Sequence, residues 1–211
     1  MIISAITAFS AGHTGNISSN HYAMANSEPL LSMASSNSSD SYSISSVPKI
    51  LPKEGSREPE VLAKAPSCKI VVNGQVQNAI IVVDLNNFTL YKYDRSGNPE
   101  IAYSIAKGAP SSPTSTGIRR ISHVEVSPYS TAPESTKRHR NPKPYGKRVI
   151  VLDNVDPKTG EISSIGEFIH GNGDNDTSMG QAVSGGCMRL PNVAVIELAK
   201  QVKRGDYVLI Q

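Results

Sequence analysis

From Cys68 onward the apolar residues come in short runs broken by Gly, Asn, Asp and Pro. Only short strands joined by turns satisfy that rhythm. Lys69 to Val72 runs into Asn73-Gly74, the dipeptide best suited to the positive φ angles of a type I′ hairpin turn. Ala79 to Asp84 is apolar enough for a buried strand, and Asn86-Asn87 can turn the chain. Thr89, Tyr91 and Tyr93 then alternate with Leu90 and Lys92 as far as the turn at Asp94-Arg95-Ser96-Gly97, and Ile101 to Ala106 supplies the next strand of a meander. Further strands are predicted at Ile121 to Val126, Val149 to Leu152 and Tyr207 to Ile210. One helix is predicted, because Val195, Leu198, Ala199 and Val202 recur at i, i+3, i+4 and i+7. Asn192 is its expected cap, Lys200, Lys203 and Arg204 suit its negative end, and Gly205 can stop it. The fold class is therefore mainly β with one late α-helix, and no internal repeat points to a solenoid.

Composition divides the chain. Residues 1–46 contain 14 serines and no Lys or Arg, too little apolar surface to offset chain entropy, so this segment is expected to be disordered. Met1 to Ala8, followed by Phe9-Ser10-Ala11, has the look of a secretory apolar core without its basic flank. Residues 47–67, with prolines at 48, 52, 59 and 66 among charges, read as a semi-extended linker before a globular domain at 68–211. All 21 basic residues lie after Val47, against 16 of the 18 acids, which leaves a charge of +5 there within a net +3 for the chain. That excess is too small to indicate a nucleic-acid binder, and no apolar stretch is long enough for a membrane span. Two cysteines, Cys68 and Cys187, cannot build a disulfide scaffold, and they lack the paired spacing of a zinc site.

The segment from Ile169 to Asn192 carries the chemistry. His170-Gly171 opens a loop rich in Gly, Asn and Asp that ends in Ser184-Gly185-Gly186-Cys187-Met188-Arg189. Consecutive glycines before a cysteine let the backbone turn tightly and can leave amide N–H groups beside the sulfur, as an oxyanion hole requires. A histidine able to reach that sulfur can take its proton and later return one to a leaving amine, and a loop readily closes the 17 positions from His170 to Cys187.

The Ser-x-Gly-Cys-x-Arg string with His-Gly at this distance resembles the L,D-transpeptidase catalytic domain, the YkuD-like family of peptidoglycan cross-linking enzymes. Ile81 to Asp94 resembles that domain's opening hairpin. Pro113-Thr114-Ser115-Thr116-Gly117 is similar to its Thr-Pro-x-Gly turn, Asn141 to Gly146 to the segment before its central strand, and Tyr207 to Ile210 to its closing strand. The resemblance spans about residues 79 to 211. It implies a mixed β-sandwich and a cysteine acyl transferase of the bacterial periplasm or cell envelope that uses no metal or other cofactor. Its partners would be peptidoglycan stem peptides, with a tetrapeptide donor and an amine acceptor, and a carbapenem would be a covalent inhibitor. Cys187 would be the nucleophile and His170 the base, oriented by the Gly171 carbonyl. The Gly186 and Cys187 amides would form the oxyanion hole, Ser184 would place a hydroxyl nearby, and Arg189 would brace the loop or meet a substrate carboxylate. Many members carry His after the Ser, where this chain has Gly185. With water as acceptor the same residues would make an L,D-carboxypeptidase, and a fold kept without activity would make a wall-binding module.

Other features carry less. Asp174-Asn175-Asp176 fails as a calcium loop, since Met179 stands where such a loop needs glycine. Lys137-Arg138-His139-Arg140 can attract stem carboxylates or simply be solvated. His123 suits a core or surface histidine, and Cys68 a small free thiol. Asn16, Asn37, Asn87 and Asn175 head N-x-Ser/Thr sequons that carry no message in a bacterial protein.

Overall fold

The computed structural model describes residues 49–173 and 175–211; the Ser-rich segment, the apolar start and Asp174 lie outside the described residues. A helical turn α1 (Pro59–Leu62) precedes the hairpin β1 (Lys69–Val72) and β2 (Gln75–Asn78). A meander follows, β3 (Ile81–Asp84), β4 (Thr89–Tyr93) and β5 (Pro99–Ser104), then the short β6 (Lys107–Gly108) and the long β7 (Gly117–Val126). The helical turn α2 (Lys137–Arg140) and a 3-10 turn at Lys143–Tyr145 lead into β8 (Arg148–Val155) and β9 (Ile162–His170). The chain ends with β10 (Ala182–Ser184), β11 (Met188–Arg189), α3 (Asn192–Gln201) and β12 (Tyr207–Ile210).

Eight strands form one curled mixed sheet in the order β11-β9-β8-β7-β12-β3-β4-β5. The last strand of the chain sits at its middle, antiparallel to β7 and parallel to β3. The two ends of the sheet meet. Ala106, just past β5, bridges Arg189 of β11 through a reciprocal pair of backbone hydrogen bonds of 3.0 and 2.8 Å. Beside that bridge β6 pairs in parallel with β10. A sheet joined at its ends leaves no free edge there.

Strand alternation sorts the core. Ile81 and Val83 of β3, Leu90 of β4, Ile101 and Tyr103 of β5, Ile150 and Leu152 of β8 and Val208 and Ile210 of β12 point to one side, where α3 inserts Ala194, Val195 and Leu198. Each such aliphatic side chain contributes about 2 kcal/mol by leaving water. Val82, Tyr91, Tyr93 and Leu209 point the other way and pack under the hairpin residues Ile70 and Val72. Both faces of β4 are thus buried, Lys92 included, and Lys92 is paired there with Glu100. A third cluster joins Val149 and Val151 of β8 to Tyr129, Ala132, Tyr145 and Phe168.

The mainly β reading with one late helix holds, and the Asn73-Gly74 turn has the positive φ angles expected of it, 49° and 73°. Asn192 does not cap α3. Pro191 holds the cap position, and the Asn192 side chain instead accepts the Lys147 N–H at 2.9 Å, which ties the start of the helix to the entry of β8. β9 was not legible, because its first five residues are exposed and show no alternation. It is a strand because β8 pairs along its length.

The described part of the expected linker, residues 49–67, packs on the domain. Ser56 bridges Ala102, the Leu51 N–H reaches Ser104 Oγ at 2.8 Å, Tyr93 donates its hydroxyl to the Pro66 carbonyl, and Leu51, Val61 and Leu62 rest on the second cluster. A chain beginning at Ser67 loses roughly 2 kcal/mol of apolar burial relative to one beginning at Lys49. Its thermal midpoint should fall by about 4–8 °C, and equal midpoints in calorimetry would show that this segment adds no stability.

Candidate active site

The two-residue strand β11 positions the sulfur. Met188 lies opposite Ile169 and Arg189 opposite His170 in a parallel pairing with β9, while the other edge of Arg189 is held by Ala106. Cys187 directly precedes β11 and His170 ends β9, so they stand beside one another at paired strands, which run about 4.8 Å apart. Met188 and Ile169 are fully buried in the main core and fix the register.

The loop before Cys187 is held from within and from outside. Ser184 Oγ donates to the Cys187 carbonyl at 2.5 Å and accepts the Gly186 N–H at 3.2 Å. Thr114 Oγ1 accepts the Gly108 N–H at 2.9 Å and donates to the Gly186 carbonyl at 2.8 Å. Gly186 has φ of 111°, which side chains strongly disfavour. Its N–H, expected as an oxyanion donor, is spent on Ser184 here. A Cβ on Gly185 would meet nothing within 4 Å.

His170 is 4% exposed, and its Nδ1 lies 2.6 Å from the carbonyl oxygen of Gly171. A carbonyl can only accept, so Nδ1 carries the proton and Nε2 keeps its lone pair. Burial, aided by the positive charge of Arg189, outweighs the Gly171 carbonyl and Asp176 and pushes the imidazole down to about 4. The Tyr145 ring packs against it with centroids 5.2 Å apart. Gly171 must lack a side chain, since a Cβ would collide with Asn192 Oδ1.

Burial pushes the Cys187 thiol up, and the charge of Glu167 adds to this against a backbone hydrogen bond from Phe168 and the charge of Arg189. Both shifts favour the uncharged forms, a thiol and an imidazole. Arg189 is the cation in range of both groups, and its buried Nε has no hydrogen-bond partner among the described residues.

One hollow borders Cys187, and a larger one lies past the end of β9. A cleft of 250 Å³ borders Cys187, Gly185 and Gly186, with Ser115, Arg119, Asn154 and Glu167 on its other walls. A larger one of 700 Å³, lined by neither Cys187 nor His170, lies between Ile50, Leu51 and Lys53 and the segments 172–173 and 175–179, beside the start of α3. Tyr145, Thr114, Arg119 and Glu167 were missed in the sequence. Only the resemblance over 113–117 and 141–146 pointed near any of them.

The remaining candidates lie elsewhere or are otherwise engaged. Arg138 of the basic run is buried and makes two bonds, of 2.5 and 2.9 Å, to Glu125, a carboxylate 1% exposed. His123 places Nε2 3.0 Å from the same carboxylate. Cys68 is buried with its thiol directed to the Gly97 carbonyl at 3.7 Å. Asn87 donates to Asp84 at 2.7 Å within the β3–β4 turn. Among the described residues no cluster suits a metal ion, and no helix is long and apolar enough to cross a membrane.

The family model of the L,D-transpeptidase catalytic domain, YkuD, matches residues 78–210, and the chain belongs to that family. No curated protein is significantly similar in sequence. Among solved structures, the chain is similar to the Ldtfm-avibactam carbamoyl enzyme at 24% identity, covering 63% of this chain and 48% of that one with a TM-score of 0.47. It is also similar to a Cys-to-Ser mutant of the Enterococcus faecium L,D-transpeptidase at 25% identity, covering 63% of this chain and 49% of that one with a TM-score of 0.45. L,D-transpeptidase 3 from Mycobacterium tuberculosis, in complex with a faropenem-derived adduct, is 19% identical over 69% of each chain with a TM-score of 0.43. This chain therefore spans about half the length of the first two.

Two outcomes follow from the buried pair. Alkylation of Cys187 by iodoacetamide should climb with pH beyond the ordinary thiol range, and a plateau between pH 4 and 7 would instead reveal a resting thiolate–imidazolium pair. His170 is held at about 4 in the folded protein against 6.5 as its ordinary value. The unfolded chain takes up the proton first as pH falls, so stability should drop between those two values by about 3 kcal/mol. Chemical denaturation of wild type and His170→Gln across that window measures it, and the variant should lack most of the drop.

Proposed function

We propose that this protein is a cysteine acyl transferase that cross-links peptidoglycan stem peptides in the bacterial periplasm or cell envelope. The observation that carries the reading is the placement of Cys187 just before β11, which pairs with the end of β9 at His170, with Nδ1 of the imidazole fixed on the Gly171 carbonyl. That arrangement supports His170 Nε2 as base. Family membership supports the peptide substrate.

The sulfur of Cys187 attacks the carbonyl of the third stem residue as its proton passes to Nε2, so thiolate forms only as the new bond does. Arg189 favours the developing negative charge on sulfur. The tetrahedral oxyanion takes its hydrogen bond from the Cys187 amide, with Ser184 and Thr114 holding that loop in place. The bond to terminal D-Ala breaks, Nε2 returns its proton to the leaving amine, and the acyl group remains as a thioester. An acceptor amine then attacks the thioester carbon, which releases the sulfur.

Incubating the full chain with disaccharide-tetrapeptide should yield cross-linked dimer by mass spectrometry, and Cys187→Ser and His170→Ala should each reduce turnover by at least about 10³-fold. A carbapenem should add once to Cys187 and not to Cys68. Tripeptide alone would indicate a carboxypeptidase. Unmodified protein with unchanged substrate would indicate a wall-binding module.

A further inference from the structure

The buried ion pair beside Cys187 has no part in the chemistry above. Arg119 of β7 is 3% exposed and Glu167 of β9 is 9% exposed, and both line the 250 Å³ cleft. Taking such a pair out of water costs more than its attraction usually returns, so stability alone is a poor reason to keep it beside a reacting sulfur.

The two partners are not equally spent. Arg119 Nε donates to Glu167 Oε2 at 2.7 Å. Its terminal nitrogens donate to the Ile118 carbonyl at 3.2 Å, Asn154 Oδ1 at 3.1 Å, and the Ser115 carbonyl and Oγ at 3.1 and 2.7 Å. Every guanidinium N–H is taken, so Arg119 has nothing left to offer a ligand. Glu167 meets the guanidinium through one oxygen. Among the described residues its other oxygen, Oε1, has only the Ser115 hydroxyl at 3.5 Å, the outer limit of a hydrogen bond. A carboxylate oxygen buried to this degree with lone pairs to spare calls for a donor. Glu167 is therefore the acceptor left on the cleft wall, and its charge is felt at the Cys187 sulfur. The open space over Gly185 leaves room for a chain to enter.

We propose that Glu167 is the specificity-determining residue of an acceptor subsite on the Gly185 side of Cys187, selecting a primary amine over water. The inference rests on acyl transfer at Cys187 and names the nucleophile of its second half. The amine arrives as an ammonium, the most donor-rich form, and Glu167 Oε1 accepts one of its N–H bonds. It gives one proton to water and attacks the thioester carbon as the free amine. The C–N bond forms, the C–S bond breaks, and the surplus proton on nitrogen passes through His170 Nε2 to the departing sulfur. Water offers no charge to the carboxylate and is held less well.

The test follows the full chain, given tetrapeptide donor and excess amine acceptor, by the ratio of amide to hydrolysed product. Glu167→Gln should lower that ratio about tenfold through a higher acceptor KM, the loss of one charge-assisted hydrogen bond. An unchanged ratio overturns the proposal. Should the variant fail to fold, wild type decides by competition. An acceptor whose amine is converted to a guanidinium, cationic but unreactive, should inhibit amide formation at about tenfold lower concentration than the same acceptor acetylated. Equal inhibition overturns the proposal. Carbapenem labelling of wild-type Cys187 runs in parallel: without it the acyl-transfer reading falls and takes this one with it, whereas labelling with no preference for the cationic competitor removes the subsite alone.

Discussion

The structure depends on the closure of its sheet at Arg189. One residue makes backbone pairs with β9 on one side and with Ala106 on the other, so the two ends of an eight-stranded sheet are joined through a strand of two residues. So short a strand is stable only because its neighbours are fixed: Met188 is fully buried in the main core, and Thr114 ties the preceding loop to β6 through Gly186 and Gly108. Cys187 sits at this join. Its place relative to His170 is therefore set largely by the register of the strand it enters, a rigid way to hold two side chains in geometry.

Burial is the second organising effect, and it acts on both members of the pair in the direction of neutrality. The thiol rises and the imidazole falls, so separated charge between them is disfavoured. Arg189 opposes the cost on the sulfur while adding to it on the imidazole, which follows from one positive charge near an acid and a base. The Tyr145 ring keeps solvent from the imidazole. The same aromatic group runs on through Tyr129 and Phe168, whose ring lies under the Arg138 guanidinium at 4.9 Å.

That guanidinium belongs to a second buried ion pair with Glu125, which anchors α2 to the end of β7. The two pairs differ in how fully they are satisfied. Glu125 takes two bonds from Arg138 and a third contact from His123, a closed structural set. Glu167 meets its guanidinium through one oxygen, has only a 3.5 Å contact from the Ser115 hydroxyl on the other among the described residues, and lines the cleft at Cys187. Where a buried charge has every partner it locks packing; where one lone pair is left over, it can be met by a ligand.

The sequence by itself determined the strands that their own apolar runs or alternation mark out, β1, β3, β4, β5, β7, β8 and β12, together with the periodic helix α3 and the Asn73-Gly74 turn. It also singled out Cys187 and His170, because a glycine-flanked cysteine with a His-Gly upstream is a local pattern. What it could not give is whatever depends on partners distant in the chain. β9 is a strand because β8 pairs with it, and residues 49–67 are ordered because Ser56 finds Ala102. Arg138 reads as one more cation in a basic run until Glu125 is placed beside it. Glu167 reads as a surface acid until the fold carries Arg119 to it across 48 positions. Short-range periodicity is written in neighbouring residues, whereas burial and charge pairing are properties of surfaces that exist only once the sheet has closed.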